Sequence, residues 1–79
     1  MDCKGIVLEA VEEILGLEKE DMINNLDLDL REEGLIDSIG VSSIVAYIEE
    51  KTKKKVNLVG TTGSDFATVG NMIKFLERN

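Results

Sequence analysis

A chain of 79 residues is long enough for one domain with a modest core, and its 43% hydrophobic content argues against wholesale disorder, while 4% aromatics leave Ile, Leu and Val to fill the interior. The formal net charge of -7 argues against nucleic acid and anionic membranes as partners. Histidine is absent, which removes the commonest general base, the Ser-His triad and most transition-metal sites, and a single cysteine, Cys3, can build neither an internal disulfide nor a zinc site.

The chain opens without a basic stretch followed by an apolar run, and no apolar run approaches a bilayer span, so a reducing cytoplasm is the expected setting. Cys3 reads as a helix-start or surface thiol without a role. Ile6, Val7, Ala10, Val11, Ile14 and Leu15 recur at spacings of three and four with Glu9, Glu12 and Glu13 between them. That period predicts an amphipathic helix over Cys3–Leu15, stopped by Gly16.

Residues 17–37 carry no sustained helical period. Leu26, Leu28 and Leu30 alternate with Asp27 and Asp29, which fits either a short strand paired with Lys55–Val59 or a long loop pinned by its leucines. Asn25, Asp27 and Asp29 also have the alternate spacing of the first ligands of an EF-hand loop. That loop would place Leu30 where its turn needs Gly and Ile36 where its charge needs Glu, so no metal site is assigned. Gly34 predicts a turn before Leu35 and Ile36.

A second helical pattern starts at Ser38, with Ile39, Val41, Ile44, Val45 and Ile48 as its apolar stripe and Ile39 expected in the core. Ser38 is a favourable N-cap. Asp37 suits the positive end of the helix dipole, and Lys51, Lys53, Lys54 and Lys55 suit its negative end. Gly60, Thr61, Thr62 and Gly63 mark a loop, with a single helical turn near Ser64–Phe66. Thr68 caps a last helix in which Val69, Met72, Ile73 and Leu76 share a face, weakened slightly by Gly70. The expected fold is all-α: a small four-helix bundle of three main helices and one short one, with a long first loop, forming a single domain over 1–79.

Charge is uneven along this frame. Residues 1–37 hold twelve acids against three bases, and residues 38–79 hold four acids against six bases. A partner steered electrostatically to the first half should be basic. With neither histidine nor a phosphate-binding loop, intrinsic catalysis is not expected, which leaves a binding module or a group carrier.

The segment Gly34-Leu35-Ile36-Asp37-Ser38-Ile39-Gly40 resembles the modification site of acyl and peptidyl carrier proteins, in its form closest to D-alanyl carrier proteins and the carrier domains of nonribosomal peptide synthetases. The resemblance spans nearly the whole chain, including the acidic first loop and the closing Phe66-Ala67-Thr68-Val69 with Met72-Ile73 and Phe75-Leu76. It implies the carrier-protein bundle and a 4'-phosphopantetheine arm attached to Ser38 by a phosphopantetheinyl transferase that uses coenzyme A. It also implies a role for Asp37 in transferase recognition, a contact of Ile39 or Val41 with the arm or a partner, and acyl or aminoacyl cargo held as a thioester. A loading ligase and downstream synthase enzymes of fatty acid, polyketide or nonribosomal peptide biosynthesis would be the partners of a monomeric carrier that is not itself an enzyme. The chain departs from fatty-acid carriers in one respect: Gly40, Ser42 and Ser43 stand in the first turns of the second helix where those carriers display acids. Partners are therefore expected to meet a more apolar and hydroxyl-rich second helix, aided by the acidic loop around Asp27–Glu33. The competing reading is an unmodified acidic helical interaction module.

Overall fold

Periodic apolar residues and local caps account for the four α-helices formed by the described residues, 2–58, 60, 61 and 63–79, of the computed structural model. Helix α1 (Cys3–Leu15) has the predicted limits. Asp2 caps it by accepting from the Gly5 amide at 3.0 Å, and Gly16 ends it in the left-handed conformation at φ 72°, with its own amide on the Glu12 carbonyl. Helix α3 (Ser38–Thr52) and helix α4 (Val69–Arg78) follow the other two periodic segments. Thr68 caps α4 as expected, its Oγ1 accepting from the Asn71 amide at 3.0 Å.

One feature of the loops departs from expectation. A short helix, α2 (Lys19–Ile23), forms where no period was visible, because its five residues cannot complete two turns of pattern. Glu20 and Asp21 sit in its first turn, where the helix dipole favours acids, and Met22 anchors it in the core. The turn expected near Ser64–Phe66 is a 3-10 turn over Gly63–Phe66. There is no strand among the described residues. In the proposed partner strand Lys55–Val59, Val59 lies outside the described residues, as does Thr62 of the following loop.

The alternating leucines pin a loop. Leu30 is fully buried and Leu26 and Leu28 are half-buried, while Asp27 faces solvent. The main chain of this loop is fastened to the start of α4: the Leu30 amide donates to the Ala67 carbonyl at 2.7 Å, and the Gly70 amide donates to the Leu26 carbonyl at 3.0 Å. The bond to Leu26 accounts for Gly70, since a Cβ there would lie 3.1 Å from the Leu26 carbonyl oxygen.

Helix α1 packs against both α3 and α4. Val7, Val11, Leu30, Ile44, Ile48, Val69 and Met72 are the largest fully buried side chains of the core, each burial contributing about 1.5–3 kcal/mol for a side chain of this size. Phe66 and Phe75 meet in a tilted pair with ring centroids 5.0 Å apart, joining the 3-10 turn to α4. Arg78 Nη2 adds a 3.0 Å bond to Asp65 on the same seam. The consequence for the site is that the start of α3, Arg31 of the preceding loop, and Leu58, Thr61, Gly63 and Phe66 converge on one cleft.

Candidate functional site

Asp37 and Ser38 form the junction between the acidic loop and α3. Asp37 has extended backbone, φ -135° and ψ -174°, and it is Asp37 that caps the helix: its Oδ1 accepts from the Gly40 amide at 2.8 Å, and its carbonyl takes the Val41 amide at 2.9 Å. This corrects the assignment of the cap to Ser38. Asp and Ser are about equally good caps, and the deciding factor is that Asp37 is the last residue outside the helix while Ser38 already has helical backbone. Ser38 is exposed, and its hydroxyl, released from capping, makes no hydrogen bond within the described residues.

Ile39 is the second correction. It is 76% exposed instead of buried. The core face of α3 is set by Gly40, Ile44 and Ile48, all buried at a spacing of four, and a residue one step before Gly40 falls outside that face. Gly40 is the key to this phase. A Cβ on it would lie 3.3 Å from both Ile36 Cγ1 and Leu15 Cδ2, so the start of α3 seats closely on the end of α1 and on Ile36. Ile39 and Leu35, which is 39% exposed, consequently face outward on the side of Ser38 nearest Ile14.

On the other side of Ser38 lies a cleft of about 810 Å³, within the range of small-molecule sites. Val41, Val45 and Phe66 give it an apolar wall, and Ser42, Thr61 and Arg31 give it polar points. The half-buried Val41 therefore faces this cleft. Arg31 arrives there through a tight local fold. Asp29 Oδ1 accepts from the amides of Arg31 and Glu32, both at 3.0 Å, and Gly34 reverses the chain at φ 70° with its amide on the Arg31 carbonyl. Asp29 is thereby occupied as a turn acceptor, and no cluster of three metal-ligating side chains occurs among the described residues.

Sequence reasoning placed Asp37 and Ser38 at the head of a helix but missed Arg31 and Thr61. The only signal for Arg31 is that it is one of three cations in the acidic half of the chain. Thr61 carried none, because nothing local distinguishes one hydroxyl of a Gly-Thr-Thr-Gly loop from its neighbour. No helix among the described residues is long and apolar enough to cross a membrane.

Comparison with known proteins adds an independent line. The family model described as "Phosphopantetheine attachment site" matches residues 6–76. D-alanyl carrier proteins of Bacillus mycoides (strain KBAB4), Bacillus cereus (strain B4264) and Bacillus anthracis (strain CDC 684 / NRRL 3495) are each 34% identical over 74 residues, covering 94% of this chain and 91% of the relative. No solved structure matches.

Proposed function

Because the chain belongs to the phosphopantetheine-attachment family of carrier proteins, we propose that Ser38 is the residue that carries the arm and that the cargo is an aminoacyl group, D-alanine being the member of that class its relatives' name supports. The observation that carries the reading is the exposed, uncommitted Ser38 hydroxyl at the first turn of a helix whose cap is held by its neighbour. The family's 4'-phosphopantetheine supplies the terminal thiol on which a cargo is held as a thioester.

The protein's own part is presentation. The hydroxyl of Ser38 stands clear of the core, so a transferase can reach it without opening the bundle. Its oxygen would form the ester bond to phosphorus as the pyrophosphate linkage of coenzyme A breaks, and its proton would leave to a base of the transferase. Asp37 Oδ1 is held by the Gly40 amide, and the other carboxylate oxygen would be left to meet a magnesium ion held with coenzyme A. The outward-facing Ile39 and Leu35 provide an apolar contact for the transferase and loading enzymes on the opposite flank. Tethering raises the cargo's local concentration at each partner enzyme, which performs the chemistry.

Intact-mass measurement tests the reading. After incubation with coenzyme A, magnesium and a broad-specificity phosphopantetheinyl transferase, the protein should gain one phosphopantetheine group and Ser38→Ala should gain none. The holo protein should then gain one alanyl group with ATP, D-alanine and a D-alanine-activating ligase. An unchanged mass in the first step overturns the attachment and favours an unmodified interaction module, whereas loading only by a fatty acyl ligase overturns the cargo.

A further inference from the structure

We infer that Arg31 and Thr61 form a seat for the arm on Ser38, with Arg31 holding the phosphodiester and Thr61 bonding the stem beyond it, so that the first part of the arm lies in the cleft instead of swinging free. The inference rests on Ser38 being the attachment residue. Its starting point is an electrostatic mismatch. A phosphodiester on Ser38 places an anion next to the Asp37 carboxylate, in the half of the chain with twelve acids and three bases. The helix N-terminus offers that anion one amide fewer, because the Gly40 amide is already bonded to Asp37 Oδ1.

Arg31 is the one cation lining the cleft among the described residues. It takes part in neither of the ion pairs found there, Lys19–Glu9 and Arg78–Asp65. Its side chain lies against the backbone of Gly63, where an added Cβ would sit only 2.6 Å from Nη1. Glycine at 63 thus leaves room for the guanidinium at the mouth of the cleft, and a guanidinium matches phosphate oxygens in geometry as well as in charge. Thr61 supplies the second, independent observation. Thr61 lines the same cleft, and its Oγ1, just beneath the surface, is buried with no hydrogen-bond partner, so a small side-chain rotation would be needed to offer it to the arm. Buried hydroxyls are normally satisfied, and an arm bearing amide and hydroxyl groups would provide what is missing. Val41, Val45 and Phe66 opposite give the arm's methyl-bearing stem an apolar surface.

The test compares amide NMR shifts of the apo and holo proteins, with the mass of each sample confirming that the arm is attached. In the wild type, attachment should shift Leu58 and Phe66, which line the cleft but are remote from Ser38 in sequence, and Val45, two turns along α3. Arg31→Gln should lower the ratio of docked to free arm by roughly 1.5- to 5-fold, the range for one exposed ion pair, seen as smaller shifts at those three residues. Arg31→Lys should recover part of the effect. Gly63→Ala, which keeps the charge but pushes the guanidinium aside, should behave like Arg31→Gln. Shifts confined to residues 36–40 in the wild type, or cleft shifts of equal size in Arg31→Gln and the wild type, overturn the seat while leaving attachment intact. If no sample gains the arm, attachment and seat fall together.

Discussion

Adjacent residues at the head of α3 divide two tasks that a single serine is often expected to combine. Asp37 holds the helix end through a 2.8 Å bond to the Gly40 amide, and Ser38 keeps its hydroxyl for solvent. The division can be measured, because asparagine caps about as well as aspartate but lacks its charge. Asp37→Ala should lower the unfolding free energy by about 1 kcal/mol, and Asp37→Asn should leave it within a few tenths in urea titrations. The rate of phosphopantetheine transfer should fall in both. A wild-type transfer rate in Asp37→Asn would confine the carboxylate's role to capping.

At the scale of elements, glycines fix how closely the parts approach. Replacing a helical glycine by alanine ordinarily gains up to about 1 kcal/mol. Gly70 should reverse that sign, because its Cβ would press at 3.1 Å on a carbonyl that is itself held by the Gly70 amide. Gly70→Ala should therefore lower the unfolding free energy by about 1 kcal/mol, the low end for overpacking, with a matching drop in Tm. A raised Tm would mean that the loop at Leu26 yields easily.

The same close approaches explain what the sequence could and could not reveal. Helix α1 was legible to both ends, since a six-residue apolar stripe and a terminal glycine agree on one answer. The Thr68 cap and α4 were legible for similar reasons. In α3 the start was legible and the rotation was not. Gly40 belongs to the buried face with Ile44 and Ile48, yet glycine does not count as apolar in a periodicity, so the stripe was drawn through Ile39. Helix α2 was too short to show a period. Arg31 reaches the cleft through a turn at Asp29 and a reversal at Gly34, and the contact it makes at Gly63 spans half the chain, which no local pattern encodes.

For the whole molecule, the acidic excess lies almost entirely before Ser38. The exposed Glu32 and Glu33 project from the turn that leads into the site, so a loading enzyme with a basic face would be steered toward them. Glu32→Lys with Glu33→Lys should slow loading of the holo protein, chiefly through kcat/KM, and the rate of the unaltered protein should fall as salt rises from 0.01 to about 0.15 M, where the Debye length shortens from roughly 30 to 8 Å. Loading that is indifferent to both changes would place the recognition surface elsewhere.

The idle hydroxyl of Ser38 has a consequence in time. Nothing in the scaffold leans on it, so esterifying it dismantles no bond that folding has made. If Ser38 carries the arm as proposed, conversion to the working form would be a late chemical event imposed on a finished bundle, and charging and discharging of the cargo would take place outside the bonds that hold α3.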